Sequence, residues 1–162
     1  MEQTNYRYED FLMSVDEACK KFVLTVHERL LQEGCKFKIE SSKTNLFAVK
    51  YTQGRRGVFN FALRKRGLKG SVYAANFAKY PDVLNNLPES MVAQIAKAAT
   101  CKNMLSPPTC WEGCVGYDIP IGGEKYPRCK FGCFQFDIDA ESMPVLLEWL
   151  ESELKERGAA HA

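Results

Sequence analysis

The sequence has no long hydrophobic run, and no stretch approaches the roughly 20 consecutive apolar residues that a membrane span requires. Its first ten residues carry acidic side chains where a secretory signal peptide would have a basic segment and then an apolar run. We therefore expect a cytoplasmic protein with no membrane partner. Thiols stay reduced in that compartment, so clustered cysteines favour metal binding or redox chemistry over disulfides.

Histidine is also scarce, and familiar catalytic motifs are missing. The 162 residues include two histidines, His27 and His161, and neither has an obvious cysteine or carboxylate partner. The sequence contains no Walker loop, no G-x-S-x-G elbow, no dinucleotide fingerprint and no H-E-x-x-H pair. No catalytic residue can therefore be named, and a binding protein is favoured over an enzyme.

Cysteine, by contrast, is concentrated. Five of the seven cysteines lie within 33 residues, in a stretch rich in proline and glycine, with the spacing C-x8-C-x3-C-x14-C-x3-C. Zinc takes four ligands, and soft thiolates suit it. The spacing predicts a structural Zn²⁺ site whose ligands are Cys101, Cys110, Cys114 and Cys129, with Cys133 as the alternative fourth ligand.

The choice of the fourth ligand depends on the local pattern. Cys101 lies at an element boundary before a loop that contains Pro107 and Pro108, whereas Cys133 lies in an alternating strand, where a thiol can simply pack. The isolated Cys19 and Cys35 are interpreted as small buried hydrophobic residues.

A redox function is the alternative interpretation of the same cluster. The nearby cations Lys125, Arg128 and Lys130 would lower the pKa of Cys129 or Cys133, as a reactive thiol requires. The C-x3-C spacing differs from the C-x2-C of common dithiol motifs. A thiol-based redox or metal-sensing protein is therefore kept as the second hypothesis.

Charge is unevenly distributed, although the net charge is only +2. Residues 35–80 contain eleven Lys or Arg against one acidic residue, Glu40. A basic sheet with aromatic residues can bind nucleic acid, but the alternation predicts that Phe59 and Phe61 are buried with Leu63 rather than displayed. Nucleic acid is a possible partner of this segment, through an anion patch of Arg55, Arg56, Arg64, Lys65, Arg66 and Lys69.

Hydrophobic periodicity predicts an α+β fold, an antiparallel sheet packed by N- and C-terminal helices with a cysteine-rich loop before the last strand. We expect one domain over 1–162. Its predicted parts are a helix at 8–34, a β-meander at 36–73, helices at 75–99, the cysteine-rich loop at 100–133, and a strand and C-terminal helix at 133–158. Gly122 and Gly123 predict a hairpin turn inside the loop.

Two parts of the chain resemble known groups. The run from Cys101 to Phe136, with Gly116-Tyr-Asp-Ile-Pro-Ile-Gly-Gly-Glu124, resembles small uncharacterised bacterial cysteine-cluster proteins. The first helix and the meander, with Gly67-Leu-Lys-Gly-Ser-Val-Tyr73, are similar to the YdhG-like and YjbR-like α+β domains of unknown function. The resemblance implies an α+β fold and a bacterial cytosolic origin, and it implies no catalytic residue. In the cysteine pattern, the positions of Cys101, Cys110, Cys114 and Cys129 are the more characteristic ones.

The sequence as a whole therefore predicts a zinc-stabilised cytosolic domain that binds a protein, nucleic acid or small molecule.

Overall fold

Helices and mostly antiparallel strands make up residues 6–159, the part of the chain that the computed structural model describes, and the predicted α+β class is confirmed. The helices are α1 Tyr8–Ser14, α2 Glu17–Gln32, α3 Pro81–Asn85, α4 Glu89–Lys97 and α5 Ser142–Ala159, with 3₁₀ turns at Phe77–Lys79 and Lys102–Met104. The strands are β1 Lys36–Glu40, β2 Phe47–Gln53, β3 Arg56–Arg64, β4 Gly67–Val72, β5 Tyr117–Ile121, β6 Glu124–Arg128 and β7 Gln135–Asp137.

The described chain forms two compact units. Unit 1 contains the residues up to Ser71 together with Asp137–Met143, and unit 2 contains Val72–Phe136 together with the residues from Pro144 onward. The strand orders are β1-β2-β3-β4-β7 in the larger sheet and β5-β6 in the smaller one. The single domain expected from the sequence remains a prediction.

Unit 1 is built on the predicted meander. β1 pairs antiparallel with β2, and β2 pairs antiparallel with β3, with a bulge beside Tyr51. Gly54, with φ of +62°, lies in the β2–β3 turn, where a left-handed residue is needed. Phe59 and Phe61 are fully buried, as the alternation predicts, so the aromatic residues of β3 form the core of the unit rather than a displayed surface.

The predicted helix at 8–34 is divided in two. Ser14 ends α1, and its hydroxyl donates to the carbonyl oxygen of Asp10 at 3.0 Å, because a serine in the last turn can satisfy a backbone acceptor one turn earlier. Val15 is extended and Asp16 precedes the first residue of α2. Phe11 of α1 and Val26 of α2 are both buried in unit 1.

Unit 2 combines helices with a β-hairpin. Pro81 opens α3, where its missing N–H costs nothing. β5 and β6 pair antiparallel through the Gly122–Gly123 turn, and both glycines have positive φ, so the predicted hairpin is confirmed. The region expected as a loop at 100–133 therefore contains regular structure.

A buried carboxylate ties α5 to the segment before α3. Glu153 is fully buried and accepts hydrogen bonds from the Asn76 backbone N–H at 2.7 Å, the Asn76 amide at 3.0 Å and the Tyr80 hydroxyl at 3.2 Å. Arg157 lies 3.6 Å from the same carboxylate and donates to the carbonyl oxygen of Tyr73. Because a buried charge is tolerated only when it is paired and hydrogen-bonded, this network fixes α5 within unit 2.

No helix within residues 6–159 is long and apolar enough to cross a membrane.

Candidate metal site

Cys101 and Cys129 are brought to one side of a short antiparallel pairing in unit 2. The Cys101 N–H donates to the carbonyl oxygen of Pro127 at 3.2 Å, and the Cys129 N–H donates to that of Ala99 at 2.8 Å. Thr100 and Arg128 form the bridge between these two hydrogen bonds. Because side chains alternate across a β-ladder, both cysteines lie on the face opposite the Thr100 and Arg128 side chains.

Arg128 fixes this pairing to the end of α4. Its guanidinium donates to the carbonyl oxygens of Ile95 at 3.0 Å and Ala96 at 2.9 Å, and it lies 3.4 Å from the Thr100 hydroxyl. The last carbonyls of a helix have no partner within the helix, and a cation there also suits the helix dipole. The sequence around Cys101 is thereby held against the strand that leads to Cys129.

Cys110 and Cys114 flank a tight turn that is tied back to the same place. The Cys114 N–H donates to the carbonyl oxygen of Trp111 at 3.1 Å. The Asn103 side-chain amide donates to the carbonyl oxygens of both Trp111 and Cys114. Asn103 belongs to the 3₁₀ turn that follows Cys101. One amide side chain therefore holds the Cys110–Cys114 turn beside Cys101.

These contacts bring four thiols around one cavity of about 190 Å³. Cys101, Cys110, Cys114 and Cys129 all line it, and among the described residues the remaining lining includes Lys130 and no histidine or carboxylate. A shallower cavity of about 400 Å³ shares Cys101, Cys110 and Cys114. Cys101 and Cys114 are buried, Cys129 is half-buried and Cys110 is exposed. The thiols come from three separate stretches of sequence.

Gly116 permits the closest backbone approach to this cavity. A β-carbon at this position would overlap the Sγ and Cβ atoms of Cys101 and would lie 2.9 Å from the carbonyl oxygen of Arg128. Only glycine fits there without displacing the backbone of Arg128. Gly116 therefore helps to fix Cys101 on the cavity wall.

Neighbouring thiols also affect one another's ionisation. Burial raises the pKa of Cys114, the nearby Cys110 and Cys101 thiols raise it further, and Lys130 lowers it. Negative charges on neighbouring thiolates repel, so the group ionises together only if a cation compensates. A soft divalent cation supplies that compensation.

The donor set fits zinc in chemistry and number, because four thiolates make a complete structural zinc site. Among residues 6–159, however, no group of three or more His, Cys, Asp or Glu side chains is arranged so that it could hold a metal ion. The shared cavity brings the four cysteines into one neighbourhood, without placing them in a coordination shell.

Cys133 lies apart from this cavity. Its side chain is 1% exposed, it lines neither of the two cavities, and burial raises its pKa to about 12. Its backbone N–H donates to the carbonyl oxygen of Cys129 at 3.1 Å. Cys19 and Cys35 are buried in unit 1, as expected for small hydrophobic residues. None of the seven cysteines, which all lie within the described residues, forms a disulfide.

The predicted anion patch is divided between two ends of β3. Arg55 and Arg56 are exposed at the β2–β3 turn, whereas Arg64 ends the strand. The two ends of this nine-residue strand are roughly 26 Å apart at ~3.3 Å per residue. Lys65, Arg66 and Lys69 lie with Arg64 around a further cavity, which none of the cysteines lines.

Three residues that shape the candidate site were not recognised from the sequence: Asn103, Gly116 and Arg128. Arg128 was considered only as a cation that lowers a thiol pKa; it does act in that direction on Cys133, where burial outweighs it, and it also holds the end of α4. Their contacts span up to 33 residues, which spacing patterns do not capture. A Gly two residues after the cluster's third cysteine is the one available signal, because a small residue beside a ligand permits close approach.

No protein-family model, curated protein or solved structure matches this chain.

Proposed function

We propose that the protein is a zinc-binding domain in which Cys101, Cys110, Cys114 and Cys129 hold one Zn²⁺ ion with a structural role. The observation that carries this proposal is that four thiols from three stretches of sequence line a single small cavity. No other metal-ligating side chain of the part of the chain that the structure describes lines the cavity, so the expected site is closed by protein sulfur atoms. Cys133, which lies outside the cavity, is the less favoured fourth ligand.

The expected contribution of the metal is local folding energy. Residues 102–113 are almost entirely exposed, and the Asn103 side chain holds the turn at Cys110 and Cys114. A segment with so little buried surface gains order from metal binding, because the binding energy of a structural zinc is folding energy. A site built of thiolates also requires a reducing compartment such as the cytoplasm, where thiols stay reduced.

We further propose that the ordered segment presents a binding surface. Trp111, Val115 and Phe131 are 65%, 67% and 59% exposed, and all three belong to the stretch that the metal would organise. Exposed aromatic and aliphatic side chains that gather in one segment are typical of contact surfaces for another protein. The metal would hold these residues in place without contacting the partner.

Metal content tests the proposal directly. Protein purified under reducing conditions, without added zinc, is expected to contain close to one zinc ion per chain by elemental analysis. Cys110→Ser and Cys129→Ser should each lower that content severalfold, because a tetrathiolate site tolerates the loss of a ligand poorly. Cys133→Ser and Cys35→Ser are the matched controls and should retain the metal.

Two results would contradict this ligand set. A zinc content near zero in the unmodified protein would mean that the protein has no zinc site. Loss of zinc in Cys133→Ser together with retention in Cys101→Ser would mean that Cys133, and not Cys101, is the fourth ligand.

The redox alternative is favoured by the proximity of Cys110 to Cys114, whereas the pKa of Cys114, raised by burial and then by Cys110, counts against it because a reactive thiol needs a lowered pKa. In that function mild hydrogen peroxide would oxidise the two thiols to a disulfide, with two electrons passing to peroxide and water released. Mass spectrometry after peroxide treatment separates the two functions. A structural site protects its thiols while zinc is bound, whereas a sensor forms the disulfide and remains folded.

A further inference from the structure

Unit 1 contains a cavity that is distinct from the two beside the cysteine cluster. It lies at the end of the sheet where the β1–β2 loop and the β3–β4 turn meet. Its volume is about 640 Å³, within the range of roughly 300–1,000 Å³ that is typical of small-molecule sites. Six charged side chains contribute to its lining: Lys43, Arg64, Lys65, Arg66, Lys69 and Asp137. Five cations against one carboxylate give the wall a formal charge of +4.

Two of the cations are held in place by neighbouring residues. Arg64 donates from its Nε to the Asn45 side-chain oxygen at 3.0 Å, and Asn45 is itself fixed because its backbone N–H donates to the Ser42 hydroxyl at 3.0 Å. The Lys69 ammonium lies 3.1 Å from the Asp137 carboxylate and its side chain is 29% exposed. Cations whose side chains are already ordered lose less entropy when they bind an anion.

The other three cations are exposed at the rim of the cavity. Lys43 lies in the β1–β2 loop, and Lys65 and Arg66 form the β3–β4 turn. Within residues 6–159 none of these three has an ion-pair partner among the salt bridges of the structure. Like charges converging on one concave wall raise the local potential and favour a multiply charged anion over a single carboxylate.

The remaining lining indicates what part of a ligand is recognised. Within residues 6–159 no aromatic side chain lines this cavity, and Leu46 is the one large apolar residue that does. Phe59, Phe61 and Tyr51 of the neighbouring strands are fully buried and present no stacking surface. Single-stranded nucleic acid is bound through stacked bases as well as phosphates, and the first of these contacts is missing here. Guanidinium and ammonium groups match phosphate oxygens by geometry and charge.

We propose that this cavity binds a small anion that carries two or more phosphate groups, as in inorganic pyrophosphate or a nucleoside triphosphate. Arg64 and Lys69 form the fixed part of the site, and Lys43, Lys65 and Arg66 close around the ligand from the rim. The site is independent of the cysteine cluster, because every residue that lines it belongs to unit 1. The result of testing this site therefore leaves the zinc proposal unaffected.

Isothermal titration calorimetry with two charge-matched variants tests this site. The probes are inorganic pyrophosphate, inorganic triphosphate, ATP and a single-stranded oligonucleotide, each at about physiological ionic strength so that diffuse attraction is screened. The test variant is Lys65→Gln with Arg66→Gln in the β3–β4 turn. The control is Arg55→Gln with Arg56→Gln in the β2–β3 turn, which removes the same charge from the other end of β3.

Saturable one-site binding of the phosphate probes is expected. The Lys65/Arg66 variant should bind about tenfold more weakly or worse, because it loses charge-assisted contacts, whereas the Arg55/Arg56 variant should change by less than about twofold. Tighter binding of ATP than of triphosphate would mean that the site recognises a nucleotide. Equal binding of the two would mean that it recognises the phosphate chain alone.

Three results would overturn the proposal. One is the absence of saturable binding for every phosphate probe. Another is an equal loss of affinity in both variants, which would mean that overall charge alone attracts anions. The third is binding of the oligonucleotide without binding of the small phosphates. Lys43→Gln, in the exposed β1–β2 loop, provides the same comparison if the Lys65/Arg66 variant proves unfolded by circular dichroism.

Discussion

His27 occupies the interior of unit 1, where aromatic rings surround it. Its Nδ1 lies 2.8 Å from the Tyr51 hydroxyl, and its ring stacks on Tyr8 with a centroid distance of 3.8 Å. Phe37 approaches its edge at 5.0 Å. Burial lowers the pKa of His27 below its ordinary value of about 6.5, and Glu28 and Glu9 oppose that shift only in part. The folded protein therefore favours the neutral imidazole.

The lowered pKa of His27 predicts that the protein loses stability in mild acid. The unfolded chain takes up a proton near pH 6.5 and the folded chain does so only at lower pH. The contribution of the neutral ring to the free energy of unfolding is therefore complete above about pH 7, and it decreases as the pH falls below about 6.5. Urea unfolding at a series of pH values measures this decrease.

Two histidine variants isolate the effect. His27→Gln should reduce the dependence of the unfolding free energy on pH between about 7.5 and 5.5, while costing about 1–2 kcal/mol at neutral pH through the lost stacking and hydrogen bond. His161→Gln changes the chain's other histidine, which lies outside the described residues, and should leave the profile unchanged. Parallel pH profiles for His27→Gln and the unmodified protein would contradict the argument.

Gly116 provides a second test at the scale of one residue. Gly116→Ala places a methyl group against Cys101 and the carbonyl oxygen of Arg128, so we expect it to destabilise unit 2 by about 1–3 kcal/mol and to weaken metal retention. Gly132→Ala, in the same segment, meets no atom within 4 Å and needs no left-handed backbone, so it should be neutral or slightly stabilising. Thermal unfolding and zinc content measure both effects. Equal behaviour of the two variants would show that the space beside Cys101 is unimportant.

The secondary-structure elements differ in how well the sequence predicts them. The alternation around Phe59 and Phe61 predicts the meander because one residue in two must face a core. The Gly122–Gly123 pair predicts the β5–β6 hairpin because a two-residue turn of this type needs positive φ at both positions. Local rules suffice in these two places, because the cause lies within a few residues of its effect.

The break between α1 and α2 falls where the sequence has a helix-start signal, because Ser14 and Glu17 have the spacing of a capping box, although the helix predicted at 8–34 runs through it. Apolar residues continue through Val15, so the helical period shows no interruption there. The chain nevertheless leaves the helix at Val15, which is extended and only 3% exposed. Its burial in the core of unit 1 is a tertiary gain that overrides local helical propensity, and a periodicity pattern contains no information about it.

The candidate site, like the fold, could be predicted from the sequence only where local patterns determine it. Cysteine spacing identifies residues that share a metal-like pattern, and four of them line one cavity. The supporting contacts of Arg128 with α4 and of Asn103 with the Cys110–Cys114 turn join separate elements through side-chain donors and backbone acceptors. Neither contact follows from a spacing rule, because each depends on where the chain returns in space.

At the scale of the whole molecule, the two units differ in what supports their structure. Unit 1 has an aromatic core, with Phe11 and Phe61 rings 5.9 Å apart, next to a multistranded antiparallel sheet. The cysteine segment of unit 2 has a two-stranded hairpin and a run of exposed residues at 102–113. A two-stranded hairpin is marginal by itself, so the proposed zinc ion would matter far more to this segment than to unit 1.

Removal of zinc should therefore act locally, if the proposed site is correct. A strong chelator under reducing conditions is expected to raise amide hydrogen exchange in residues 99–133 by about 100-fold, equivalent to ~2.7 kcal/mol, because the segment loses the binding energy that orders it. Amides of β2 and β3 should keep their protection, since their partners are backbone groups of the meander. Exchange resolved by mass spectrometry measures both regions in one experiment.

A cysteine variant supplies the control for chelation. In Cys110→Ser the segment should already exchange rapidly, and the chelator should change it little further, because the ligand set is incomplete before the chelator is added. Unchanged exchange in 99–133 of the unmodified protein would mean that hydrogen bonds such as those of Arg128 and Asn103 order the segment unaided. Equal loss of protection in β2 and β3 would instead mean that the core of unit 1 depends on the metal, contrary to the contacts that surround Phe61.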